Sequence, residues 1–274
     1  MASNPTGKEL LRASLGLFRQ DRHLIVLPLL AAVTALVTLA AVGLPIVAVL
    51  GTNRTGVIVA LVAAGVLASS STLFFNVALV FAATDRIEGR TPTVGGSLAK
   101  AWGRRATILK WALLSAVVGT VVRALERRLG VFGRLLGPAG AFAWAIATFF
   151  VLPVLAFEDL GPIAVLRRSS TLLKERFGTV TRSGLRFGML FGSWFVAAIA
   201  VVMTGAMVLP ASRVLGVGLV AVGVFGVLAV AMYASAASIY LRTILYRFST
   251  GATVPELGVD LGTVLVPART SVFA

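Results

Sequence analysis

The chain has no cysteine, one histidine and only 10 acidic residues among 274. The first absence excludes disulfides, thiolate nucleophiles and cysteine-ligated metals. A serine nucleophile needs a base within hydrogen-bond reach, usually histidine or a lysine of depressed pKa. His23 stands beside Asp21 and Arg22 at the start of an apolar run, at headgroup level, where it is expected to act as an interfacial anchor. The four lysines lie between apolar runs or at their edges, which counts against a buried Ser-Lys dyad. Intramembrane aspartyl chemistry requires two carboxylates sharing a proton at membrane depth. Glu158-Asp159 and the pair Asp85 and Glu88 instead close predicted spans, where pairing with nearby arginines is expected. Gly258-Val259-Asp260-Leu261-Gly262 lies in a tail with no span around it. The chain is therefore expected to have no catalytic, cofactor-binding or metal-binding residues and not to be an enzyme.

What it has is apolar surface. Hydrophobic residues make up 58%, charged residues 13%, and the mean hydropathy is +0.97; a soluble domain carries about 45 to 50% and about 25%. A span needs roughly 20 apolar residues, and helices satisfy their own backbone in lipid. Spans are predicted at 24–50, 56–84, 107–122, 139–157, 184–209 and 214–246. They form one membrane domain, 1–246, followed by a tail, 247–274. The first run is too long for a signal-peptide core and reads as an uncleaved helix. With residues at helix edges counted in the adjoining segment, 19 Lys or Arg fall on one side of the predicted bundle and 6 on the other. The positive-inside rule then places both termini in the cytoplasm, in a multi-pass protein of the cell membrane. The net charge of +15 flanks membrane segments. It points to anionic headgroups at the cytoplasmic face rather than to nucleic acid.

The expected fold is all-α, a polytopic bundle of about six membrane helices in three hairpins, each preceded by a basic amphipathic interfacial helix. Thr6-Gly7-Lys8-Glu9 has a capping-box pattern and opens the first of these, with Leu11, Leu15 and Phe18 on one face. The second centres on Leu98-Ala99-Lys100-Ala101-Trp102. The third begins at Gly161-Pro162 and carries Ile163, Leu166, Leu173 and Phe177 as its stripe. Candidate headgroup contacts are Lys8, Arg12, Arg19, Lys100, Arg104, Arg105, Arg167, Arg168 and Lys174. Span three runs into Arg123, Glu126, Arg127 and Arg128 at helical period; one long tilted helix is preferred over a short span with a separate interfacial helix. Gly184, Gly188 and Gly192 form a small-residue stripe suited to helix packing, within the monomer or between copies. Asn76, a mid-span amide, joins them as a packing candidate. Gly133 and Gly137 read as turn formers, and Pro28, Pro45 and Pro153 as bends or ends of helices. Asn53-Arg54-Thr55 matches a glycosylation sequon and carries little weight. The lack of buried charge in this reading counts against an ion-coupled carrier.

Several ordered segments resemble an uncharacterised family of prokaryotic multi-pass membrane proteins, seen in archaea and actinobacteria and known only as a domain of unknown function. They are Asp21 through Pro28, Phe74-Phe75-Asn76, Trp111-Ala112-Leu113, Phe150-Val151-Leu152-Pro153, Glu158-Asp159-Leu160-Gly161-Pro162 with Arg168-Ser169, and Leu245-Tyr246-Arg247-Phe248 leading to Gly251 and Val254-Pro255. After Pro255 the chain departs from the family pattern. The resemblance implies a six-helix membrane protein and no activity. The expected role is that of a non-enzymatic membrane-organising or partner-binding protein, with a membrane protein or a second copy as partner. A transporter or permease component for a small or lipid-like substrate is the alternative.

Overall fold

The structure is a computed structural model, and it describes residues 21–51, 53–129 and 131–250. A 3-10 turn, Arg22–Ile25, leads into α1 (Val26–Leu50) and α2 (Arg54–Ile87). The short α3 (Val94–Trp102) precedes α4 (Arg105–Leu129), α5 (Val131–Ala147) and α6 (Val151–Phe157). Two long helices, α7 (Pro162–Val208) and α8 (Arg213–Ser249), complete the fold. The described regular structure is entirely helical.

Local chemistry sets the boundaries. Gly51 adopts φ 78° between α1 and α2, a conformation glycine reaches without a Cβ penalty. Asn53 then caps α2, its Oδ1 accepting from Gly56 N at 2.7 Å. Thr93 caps α3 in the same way through Gly96 N. Pro162 occupies the first turn of α7, where a missing N–H costs nothing.

Six helical stretches are long and apolar enough to cross a membrane: His23–Leu50, Thr55–Ile87, Arg105–Leu125, Ala139–Phe157, Gly188–Val208 and Arg213–Arg247. They match the predicted runs, and the fold is consistent with a multi-pass membrane protein. Helix α4 continues without interruption through Arg123 to Leu129, as the long-helix reading of span three expects. Several expectations need correction. Gly133 and Gly137 are not turn residues, because α5 already begins at Val131. Of the two outcomes expected for Pro45, a bend or an end, the second does not occur, since α1 runs on to Leu50. Asp85 lies inside α2 rather than beyond it. The third interfacial helix is not a separate element, because α7 is assigned as one helix of 47 residues. At about 1.5 Å per residue it is about 70 Å long, against about 40 to 45 Å for a bilayer with headgroups. Much of α7 must therefore lie outside the hydrocarbon or along its surface. The first interfacial helix lies outside the described residues; the second corresponds to α3.

Helix α1 packs on α2, α4 on α5, and α7 on α8. The last contact is the tightest. A Cβ on Gly205 would lie 2.6 Å from Val220 N, and one on Gly223 would lie 2.7 Å from Val202 N. The predicted stripe is different: at Gly188 and Gly192 an added Cβ meets nothing within 4 Å, so neither is a close-approach position within the chain. Nothing is described of the surroundings of Gly184.

The core sits at one end of the bundle. Val77 to Val80 and Ile87 of α2, Val151 to Ala156 of α6, Val165 and Leu172 of α7, and Ala236 to Tyr246 of α8 meet there with Leu24, Leu27, Ile108 and Trp111. At the opposite end large apolar side chains face outward, including Leu44 at 70%, Val49 at 83% and Val214 at 83% exposure. Such a continuous apolar exterior is consistent with helices that face lipid. We call the two the packed end and the open end.

Candidate functional site

The packed end gathers the charges. Every acid whose side chain is described, Asp21, Asp85, Glu88, Glu158 and Asp159, is in a salt bridge. Asp21, just before the 3-10 turn, is fully buried. Arg86 of α2 grips it with two bonds, Nε to Oδ2 at 2.7 Å and Nη2 to Oδ1, and the hydroxyl of buried Tyr240 on α8 donates to Oδ2 at 3.3 Å. One carboxylate thus ties the start of the chain to α2 and to α8.

A second cluster closes the turn after α2. Asp85 accepts from Lys100 of α3 at 2.6 Å and from Arg90 Nη2 at 2.6 Å. Its hydrogen bond to Asp85, with Glu88 adding to it, raises the Arg90 guanidinium above its ordinary pKa, so this exposed arginine stays charged. Glu88 is also paired with Arg247 at the end of α8. His23 Nε2 donates to the Pro92 carbonyl at 3.1 Å, pinning the same turn. A third cluster lies where α6 meets α7. Glu158 accepts from Arg168 Nε at 3.1 Å and from the Tyr246 hydroxyl at 2.9 Å, while Phe157 stacks on the Tyr246 ring. The expected pairing with arginines of the amphipathic segments is present for Glu158, through Arg168 of α7; Asp85 instead takes a lysine of α3, Lys100, and Arg90 of the turn before it.

Between these clusters span four is broken. Helix α5 stops at Ala147 and α6 starts at Val151. Pro153 explains the break, since its ring would clash with the Phe149 carbonyl and it has no N–H to offer it. Phe149 N turns to Ile146 O and Val151 N to Thr148 O, which releases Phe150 N and Ala147 O. Ser169 of α7, fully buried, satisfies both: its hydroxyl donates to Ala147 O at 2.7 Å and accepts from Phe150 N at 3.1 Å. Arg242 of α8 lies over the Phe149 ring, 5.0 Å from the centroid. Its Nε is buried with no hydrogen-bond partner, and among the described residues it has no ion pair. This is a half-buried cation with a fully buried Nε inside the sixth run, and it corrects the expectation that the spans hold no buried charge.

The candidate headgroup contacts divide accordingly. Lys100 and Arg168 are held by carboxylates, and Arg104 reaches Asp159 at 3.7 Å. Arg105 rests on the Trp102 ring and donates to its carbonyl. Arg167 and Lys174 are exposed with no ion pair among the described residues. Lys8, Arg12 and Arg19 lie outside the described residues. Asn76 is half-buried and makes no side-chain hydrogen bond among them. Sequence reasoning missed Asp21, Arg86, Tyr240 and Arg242; for Arg242 a signal existed, a cation within an apolar run.

The segments that carried the family resemblance supply Asp21, Phe150, Pro153, Glu158, Arg168, Ser169, Tyr246 and Arg247 to this one end. A family model described as a family of unknown function (DUF6159) matches residues 58–254. The chain belongs to this family. Membership brings no activity with it. No curated protein and no solved structure matches the chain.

Proposed function

We propose that this member of the family is a non-enzymatic, multi-pass protein of the cell membrane whose packed end faces the cytoplasm and serves as a rigid basic platform. Anionic headgroups, or a membrane partner bearing acidic groups, would bind there. One observation carries the reading: Asp21, Asp85, Glu88 and Glu158 are each paired with a basic residue of the packed end, while Arg105, Arg167 and Lys174 are exposed with no ion pair among the described residues. A carboxylate held in an ion pair is a poor general base, and the surplus of cations gives the face its sign. The pairings of α1 with α2 and of α7 with α8 support the first and third hairpins, while α4 packs on α2 as well as on α5.

The test is flotation of the purified protein with vesicles of phosphatidylglycerol and phosphatidylcholine. At about 1 kcal/mol per basic residue near a charged surface, R105Q, R167Q and K174Q together should weaken binding at low salt by at least about tenfold. Arg168 is left intact because it holds Glu158. Unchanged binding of the triple variant would refute the lipid platform.

A second reading, a permease component for a small or lipid-like substrate, is favoured by a cavity of about 510 Å³ between α2 and α4. It is lined by Ser69 and lies toward the open end, not beside Asn76 and Ser70. Uptake into proteoliposomes, lost on filling the cavity, is the observation this reading requires.

A further inference from the structure

The cavity between α2 and α4 is a groove with one charged mouth. Its wall on α2 is apolar, formed by Ile58, Leu61 and Val62, with Gly65 leaving the floor open: a Cβ there would meet nothing within 4 Å. Toward the packed end it closes at Ser69 and Ser115, and toward the open end it meets Arg123. The Ser69 and Thr120 hydroxyls donate to carbonyls of their own helices, at 2.9 and 2.7 Å, and so offer a ligand no donor. Ser115, at the far end from Arg123, is the one lining hydroxyl with no hydrogen bond among the described residues; along the rest of the groove recognition is left to shape, and at its mouth to charge.

Arg123 is placed for that task. Its Nε donates to Gly119 O at 3.0 Å, so the side chain folds back along α4 toward the apolar lining instead of extending past the helix end. Gly119 makes the fold possible, because its missing Cβ leaves the space that Nη2 approaches. Among the described residues Arg123 has no ion pair, and its terminal nitrogens keep their donors. From Ile58 to Ser69 the groove covers about 16 Å at about 1.5 Å per residue, half of a hydrocarbon core of about 30 Å. That is the depth of one leaflet.

We infer that this groove holds one anionic phospholipid of the leaflet at the open end, an acyl chain along Ile58, Leu61 and Val62 and the phosphate on the Arg123 guanidinium. The site lies opposite the basic platform and does not depend on it. Nor does it require transport, since a lipid bound there can be structural cargo.

The full chain, purified in mild detergent and incubated with phosphatidylglycerol or phosphatidylcholine, is analysed by native mass spectrometry for retained lipid. The wild type should retain one phosphatidylglycerol in preference to phosphatidylcholine. R123Q should lose that preference, with phosphatidylglycerol retention falling about fivefold, equivalent to roughly 1 kcal/mol. G65F should reduce retention of both lipids by occupying the groove. R167Q with K174Q should leave this lipid in place, which separates a failure here from a failure of the platform. R123Q, an exposed substitution, keeps the test decisive if G65F does not fold. Equal retention of the two lipids by the wild type, or unchanged preference in R123Q, overturns the inference. Displacement by glycerol phosphate without an acyl chain would also overturn it, by assigning recognition to a free anion site.

Discussion

Replacing Ser169 by alanine should expose how span four tolerates its break. The hydroxyl makes two hydrogen bonds, to Ala147 O at 2.7 Å and from Phe150 N at 3.1 Å, in a fully buried position. Alanine keeps the shape and strands both backbone groups. Each buried unsatisfied group costs about 1 to 3 kcal/mol, so S169A should destabilise by about 2 to 6 kcal/mol. At roughly 2 to 4 °C per kcal/mol for a chain of this size, the Tm in detergent should fall by about 4 to 24 °C. The cause assigned to the break gives a sharper test. P153A returns an N–H to Phe149 O and removes the ring clash, so the helix can close across 148–150 and satisfy Ala147 O and Phe150 N itself. In a P153A background S169A should then cost less than about 1 kcal/mol, a coupling of more than about 1 kcal/mol in a double-mutant cycle. Thermal unfolding followed by circular dichroism reads all four variants. The account fails if S169A costs the same in both backgrounds, or behaves like a neutral surface change in the native one.

Other perturbations test the remaining contacts. D21N should destabilise by about 3 to 5 kcal/mol, because it removes the carboxylate that Arg86 grips and leaves a buried charge poorly compensated; a Tm within 2 °C of wild type, at roughly 2 to 4 °C per kcal/mol, would contradict it. R242M should be neutral or raise the Tm, since an unpaired buried cation costs several kcal/mol and the Phe149 ring returns only about 2. A marked fall in Tm on R242M would show that the chain has an anionic partner for Arg242. G205L should disrupt the α7 and α8 pair, where even a Cβ would lie 2.6 Å from Val220 N, whereas G188A and G192A should leave monomer stability within about 0.5 kcal/mol. Single cysteines at Asn53 and Gly95, introduced into a chain that has none, should label from opposite sides of the membrane; labelling from the same side would refute the proposed topology.

The six spans were legible because membrane insertion depends on local composition: length and hydropathy decide it within one stretch. The packed end was not, because its contacts join residues that are distant in the chain. Asp21 lies 65 residues from Arg86 and 219 from Tyr240, and Tyr246 lies 88 from Glu158. No periodicity encodes such pairs. What the sequence did offer was a set of separate motifs, and the fold shows that many of their residues meet. Arg242 was legible by simple inspection and was hidden by counting it with the helix edge. The glycines show the reverse error. A regular stripe at Gly184, Gly188 and Gly192 drew attention, while contact is made at Gly205, Gly216 and Gly223, whose spacing becomes meaningful only once the register of α7 against α8 is known.

That difference reflects how a bilayer divides the work of folding. Lipid tails are as apolar as leucine, so burial of one apolar helix face against another gains little inside the membrane. Helices there are held by close backbone approach, as at Gly205 and Gly223, or by polar groups that must find partners. In this chain nearly all the described carboxylate and tyrosine contacts lie at the packed end, and they fasten α2, α3, α6, α7 and α8 to one another. Toward the open end α2 and α4 lack such a fastening and separate into a groove. A gap that neither water nor side chains fill would cost its lining the contacts it forgoes. In the inferred site lipid fills this gap, and an unpaired Arg123 is the reason an anionic lipid should fill it better than the rest.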